Sequence, residues 1–429
     1  MHGRPELDPN SRGNWGASAM GDGFGIFELL AMCEVLDIEV VLVQPVGGDG
    51  EPTNRTRAED LADMVEYMHG DADTTFGALR VADGHPSPYE VKWFELGNEQ
   101  YNSDFVAQVD AMETRATQIG LTGDRALHYI WGGPPASFHR PGAFGPNTTD
   151  ANKADALGLG DRLVVDVHTD GFHGVEAANE VWKAAATSSW SVLNLETNCG
   201  THAMMRGLDE AADLNTFFNS PDTRLVGRTG SFCLERSGYN EGGLNDQGMI
   251  FFLPNMTWLQ PPAHVHHMVT STWQPWALNV SMAGSGCSGL SVSAQSSAPR
   301  VERGSGGAEA EEDPMKEEKE EDEAHVESEA GVLLTSDIAV RIVNRNSAAV
   351  SIMLLGPNSG VAAEATQVSV TTLASPSAPH QGWETEANTP ADPAKIAPVT
   401  STWNRTAKLS KAAMLTLPAG SFSVLTYNQ

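Results

Sequence analysis

Basic residues are scarce in this chain of 429: 26 Lys and Arg stand against 56 Asp and Glu, a formal net charge of −30. A surface of that sign repels phosphate backbones, which excludes nucleic acid as a partner. Cysteine is scarcer still, with Cys33, Cys199, Cys233 and Cys287 alone. Four are too few for a disulfide scaffold, and none falls in a Cys-x-x-Cys or Cys/His spacing that suits a metal. No run of 18 apolar residues occurs, so no membrane-spanning helix is expected. The opening Met1-His-Gly-Arg-Pro-Glu does not read as a signal peptide. Five N-x-S/T sequons, at Asn54, Asn147, Asn255, Asn279 and Asn404, nevertheless point to an extracellular, secreted protein whose leader is not part of this sequence.

What is present falls into two regions. Over residues 1–264 apolar strands alternate with helices. Strands are expected at 38–44, 91–97, 127–132, 162–168, 190–196 and 249–254, and helices at 24–36, 56–70, 104–118, 174–187 and 203–219. Near-continuous apolar strands separated by helices imply a parallel sheet covered on both faces. From 265 to 429 the pattern turns to short alternating segments divided by turn residues, the mark of an antiparallel β-sandwich. An acidic insertion at about 298–330 interrupts it. Residues 301–330 carry 13 acidic and 3 basic side chains and almost no large apolar ones, so the insertion is expected to be disordered.

Chemistry concentrates at two strand ends. Val91-Lys-Trp-Phe-Glu-Leu-Gly-Asn-Glu99 is an apolar strand that stops in Gly97-Asn98-Glu99, and Trp190-Ser-Val-Leu-Asn-Leu-Glu196 repeats the design. In a (β/α) barrel, side chains just past the C-terminal ends of strands do the chemistry. Two carboxyl groups on one rim are the equipment of glycoside hydrolysis, one to protonate the leaving oxygen and one to attack or to activate water. Their mutual repulsion would keep one of them protonated near neutral pH. Asn98, beside the acid, offers an amide to a sugar hydroxyl. A strand-end glutamate alone is more often an idle exposed residue; the Gly-Asn-Glu setting is what raises Glu99 above that background.

With those residues in view, the chain resembles the α-L-arabinofuranosidases of glycoside hydrolase family 51. Gly23-x-Gly25-x-x-Glu28, Phe76 to Pro88, Trp93-Phe-Glu-Leu-Gly-Asn-Glu99, Leu195-Glu-Thr-Asn198, Trp258-Leu-Gln260, Asn388 to Pro398 and Ala419 to Tyr427 match its segments in order. The resemblance implies an α/β fold: a (β/α)8 TIM barrel lacking its first two strands, which carry an Arg-x-Pro-Gly-Gly motif not found here, followed by the all-β sandwich. The six remaining strands would leave edges at 38–44 and 249–254. It implies a retaining exo-glycosidase (EC 3.2.1.55) with Glu99 as acid/base and Glu196 as nucleophile. It further implies sugar contacts from Asn98, His168, Trp258 and Gln260. Asp170 stands where the family often has a tyrosine, either as a subgroup variant or as a changed subsite, and is counted with these substrate-binding residues. The substrate implied is a terminal α-L-arabinofuranosyl group on an arabinose-containing polysaccharide; no metal or cofactor is needed, and a homo-oligomer is compatible with the sequence. The other readings are a non-catalytic carbohydrate-binding paralogue, favoured by the missing strands, and a retaining glycosidase of different sugar specificity.

Overall fold

The computed structural model describes residues 25–44, 58–97, 104–132, 156–166, 169–170, 191–195, 197–198, 201–219, 225–228, 234–237, 246–284, 287–298, 337–353, 366–405 and 414–428. The chain divides into two compact units. Residues 1–198 and 222–231 form one, and residues 199–221 and 232–429 the other. The sequence boundary at 264 does not coincide with this division.

The first unit opens with α1 (Ile26–Leu36), whose first turn is closed by Glu28: its carboxylate accepts the Gly25 N–H at 2.7 Å. Strand β1 (Val41–Gln44) follows, then α2 (Ala58–His69), α3 (Thr75–Ala82), β2 (Trp93–Leu96), α4 (Phe105–Gln118), β3 (His128–Gly132) and β4 (Leu163–Asp166). Short β5 (Thr169–Asp170) precedes β6 (Ser191–Asn194), β7 (Thr197–Asn198) and β8 (Leu225–Arg228). Six strands make one parallel sheet in the order β1-β2-β3-β4-β6-β8. One face is apolar by strand periodicity: Leu42, Phe94, Leu96, Tyr129, Trp131 and Leu163 pack with Leu61, Val65, Met68, Phe105, Val109 and Met112 of the helices. Phe105 stacks on Trp131 with ring centroids 4.1 Å apart. Behind this core Arg162 grips the Glu113 carboxylate through two nitrogens, and Tyr129 Oη donates to the same group at 2.7 Å.

The sequence expectation of a sixth barrel strand at 249–254 is corrected here. The sixth parallel strand is β8, a short segment with an internal glycine that gives little apolar signal. Residues 250–253 instead belong to a separate three-stranded sheet.

That sheet opens the second unit, after α5 (Met204–Phe218): β9 (Leu234–Arg236), β10 (Ile250–Leu253) and β11 (Met256–Leu259), ordered β11-β10-β9. Helix α6 (Pro261–Thr270) begins with two prolines, which the first helical turn accepts because its N–H groups have no intrahelical partner. The remaining strands are β12 (Trp276–Leu278), β13 (Leu290–Ser296), β14 (Asp337–Asn344), β15 (Val350–Ile352), β16 (Thr366–Ala374), β17 (Val399–Arg405), β18 (Leu415–Leu417) and β19 (Ser421–Asn428). Six form an antiparallel sheet, β12-β13-β14-β19-β16-β17, and β15 pairs with β18. Alternation sorts the sheet's side chains. Ile338, Val340, Val368 and Leu425 face Leu417, with Ile352 and Leu415 beside it, on the two-stranded sheet. Val343, Leu373, Phe422 and Val424 face Met204 and Leu208 of α5 and Val265 and Met268 of α6. The acidic insertion expected at 298–330 lies outside the described residues from position 299 onward, as does the helix expected at 174–187.

Candidate active site

The C-terminal ends of the parallel strands carry the candidate chemistry. Strand β2 ends at Leu96, and Gly97 turns the chain with φ +95°, its N–H donating to the Gln44 carbonyl at 2.9 Å. Asn98 and Glu99 follow directly and lie outside the described residues. At the other end of the constellation β6 stops at Asn194 and Leu195 leads to Glu196, which also lies outside them, as does His168 between β4 and β5. Asp170 is the last residue of β5, and only its backbone is described. The strands that Glu99 and Glu196 follow in sequence, β2 and β6, thus end on the same side of one parallel sheet.

Below that edge, the face away from the helices is more polar than the apolar strands suggest. Period-two alternation puts Trp93 and Glu95 opposite Phe94 and Leu96, and His128 and Gly132 opposite Tyr129 and Trp131. The Trp93 and His128 rings lie 4.5 Å apart. Burial, with Arg162 and Lys92 adding to it, lowers the His128 pKa. Glu95 is buried beside Gly132; a Cβ built on Gly132 would stand 2.7 Å from Glu95 Oε1 and 1.7 Å from the Gly97 carbonyl oxygen. Only glycine lets β3 approach the turn before Asn98 so closely. Asp166, buried at the end of β4, accepts the Leu195 N–H on Oδ1 at 2.8 Å. Neither Glu95 nor Asp166 was singled out from sequence. The available signal was an acidic residue at an inward position of an apolar strand.

Trp258 and Gln260, the other two expected sugar contacts, belong to the second unit, where both are buried and bonded to the backbone. Gln260 is 0% exposed, and both ends of its amide are used: Nε2 donates to the Asn388 carbonyl and Oε1 accepts the Asn388 N–H, each at 2.9 Å. Trp258, 4% exposed, donates its indole N–H to the same carbonyl at 3.2 Å. The Asn388 side chain in turn bonds the Leu259 carbonyl and both backbone groups of Ile396. These residues fasten the 375–398 segment to the end of β11, with one N–H and one lone pair of the Gln260 amide committed to Asn388. Nearby, His202 pairs with Asp246, and fully buried Glu210 receives Arg206 Nε at 2.7 Å while bonding His266 Nε2 at 2.9 Å. No group of three or more His, Cys, Asp or Glu suited to a metal occurs among the described residues.

The described elements are thus a helix-backed parallel sheet in one unit and an antiparallel sheet with two helices in the other. Residues 2–128 match the family model of the alpha-L-arabinofuranosidase 1 domain, and the chain resembles the α-L-arabinofuranosidases of glycoside hydrolase family 51. An intracellular exo-alpha-L-arabinofuranosidase of Bacteroides ovatus is 33% identical over 98 residues, 23% of this chain and 17% of that protein. Alpha-L-arabinofuranosidase 2 of Arabidopsis thaliana is 32% identical over 83 residues, 18% of this chain and 12% of that protein. The matched stretch is thus under a fifth of either relative's length. In fold, the likeness runs along most of the chain. The arabinose complex of the Thermotoga maritima α-L-arabinofuranosidase superposes with a TM-score of 0.61 at 13% identity, over 95% of this chain and 79% of that one. The family 51 enzyme of Bifidobacterium longum gives 0.59 at 13% identity, over 95% and 79%.

Proposed function

We propose that the chain is a retaining exo-glycosidase that removes terminal non-reducing α-L-arabinofuranosyl groups from arabinose-containing polysaccharides. The observation that carries this reading is the shared edge: Glu99 comes three residues after the end of β2, and Glu196 two residues after the end of β6, in one parallel sheet. The sheet is read as an arc of a (β/α)8 barrel, and the second unit as the sandwich that accompanies it. Three strand spacings separate β2 from β6, about 14 Å along the sheet. A retaining pair needs its carboxyl groups roughly 5 Å apart, so this reading requires the sheet to curve as an arc of a barrel does.

In this mechanism the Glu196 carboxylate attacks the anomeric carbon while Glu99 gives its proton to the glycosidic oxygen, and the alcohol departs. Glu99, now a carboxylate, takes a proton from water as that water attacks the same carbon and frees Glu196. Asn98, His168 and Asp170, adjoining the two acids in sequence, are the proposed sugar contacts. The exposed sequons at Asn255 and Asn279 support a secretory route, in which both would be glycosylated.

The test is a pair of variants. Glu99→Ala is expected to lose far more activity on substrates with poor leaving groups than on p-nitrophenyl α-L-arabinofuranoside, and to recover rate with azide. Glu196→Gln is expected to lose both activities, and a mechanism-based arabinofuranosyl reagent is expected to label the peptide containing Glu196. Equal losses without rescue, or a label elsewhere, would refute the assignment.

A further inference from the structure

The backbone that leads to Glu196 is out of step with its neighbours. Up to its end, β4 pairs with β6 in the register Asp166↔Leu193, and beyond it β5 pairs with β7 in the register Thr169↔Thr197. Between those two rungs lie two residues on one strand, 167 and 168, and three on the other, 194 to 196. The strand leading to Glu196 therefore carries one extra residue. On its other side β6 meets β8 with a second irregularity, between Val192 and Leu193. A one-residue excess takes an N–H out of the ladder, bends the strand and re-aims the side chains around it.

The N–H of Leu195 falls inside this excess and is not left bare. Asp166, 4% exposed, accepts it on Oδ1 at 2.8 Å. A buried carboxylate is a stronger acceptor than a backbone carbonyl, and this one is held by the last residue of the adjoining strand. The bond ties the peptide immediately before Glu196 to the end of β4.

We propose that Asp166 is a positioning residue for the nucleophile: its carboxylate holds the Leu195 N–H where the register changes and so orients the chain entering Glu196. This rests on the reading of Glu196 as nucleophile. Loss of the acceptor would let the bulge relax, and a misplacement of about 1 Å at a reacting group costs on the order of 10²-fold in rate.

Three variants test it: Asp166→Ala and Asp166→Leu, which remove the acceptor, the second while keeping the volume, and Asp166→Asn, which keeps an acceptor oxygen. On an activated aryl arabinofuranoside, the Ala and Leu variants are expected to lose about 10²-fold in kcat with KM within threefold. Covalent labelling of Glu196 should slow in proportion, and the Asn variant should recover most of the rate. Leu195 amide exchange should quicken in the Ala and Leu variants and stay slow in Asn. If Ala does not fold, Leu carries the comparison. An active parent whose folded Ala or Leu variant keeps kcat within threefold overturns this proposal alone. So does a rate loss that Asn fails to recover while its Leu195 exchange stays slow. A parent that neither turns over nor labels at Glu196 overturns the nucleophile assignment, and this proposal with it.

Discussion

Gln260→Ala separates the two roles that sequence and structure give this residue. In the fold the Gln260 amide closes a ring of two hydrogen bonds with the backbone of Asn388 and is inaccessible to solvent. Alanine would leave the Asn388 N–H buried without its acceptor, at about 1–3 kcal/mol. The carbonyl would keep its bond from the Trp258 indole. The vacated side-chain volume adds on the order of 1–2 kcal/mol. A loss of roughly 2–5 kcal/mol in a unit of about 220 residues corresponds to a fall in Tm of roughly 5–15 °C. Differential scanning calorimetry of parent and variant reads this directly. Steady-state kinetics well below the variant's Tm should show KM within threefold of the parent. A variant that melts within 1 °C of the parent but has a tenfold higher KM would show that Gln260 touches the sugar and that the Asn388 ring is incidental.

Other consequences follow from buried groups. Burial, with Arg125 adding to it, pulls the His69 pKa down to about 4; the folded chain thus binds fewer protons than the unfolded one between about 6.5 and 4. The resulting stability is complete above pH 6.5 and is lost as pH falls toward 4, about 3 kcal/mol in all. In urea unfolding at pH 7 and pH 4.5, His69→Leu should lose less stability on acidification than the parent, and identical losses would rule the effect out. The parent comparison is needed because Asp209, pushed up to about 6 by burial despite its Arg345 partner, contributes with the opposite sign over pH 3.8–6. Gly132→Ala drives a Cβ into the Gly97 carbonyl and should cost about 3 kcal/mol or more; an unchanged Tm would mean that β2 and β3 can part freely.

Much of the first unit was legible because its strands are apolar and its helices amphipathic. Phe94 and Leu96, or Leu61, Val65 and Met68, declare a buried face by spacing alone. Strand β8 was not legible: four residues including Gly227 and Arg228 owe their place to pairing with β6, a nonlocal cause. Helix α6 was not expected either, since its ten residues fall where the pattern passes from alternating helices and strands to short β segments. The strand ends that precede Glu99 and Glu196 were visible as motifs. Gln260 shows the limit of such reading: an amide suited to a sugar hydroxyl is equally suited to a backbone, and only the fold reveals which it meets. Asp166 was invisible for a related reason, since its partner lies 29 residues away and the need for it arises from register.

The order of the large antiparallel sheet bears on how the protein is made. Its strand latest in sequence, β19, does not lie at an edge but between β14 and β16, paired along its length with both. During synthesis β12, β13 and β14 emerge as one antiparallel group and β16 and β17 as another, with no rung between them. The layer beneath α5 and α6 stays split until residues 421–428 clear the ribosome and slide into the gap. Until then α5, translated some two hundred residues earlier, keeps Met204 and Leu208 without Phe422 and Val424 beneath them. A chain cut a few residues before Ser421 is therefore expected to keep the two groups of strands unjoined.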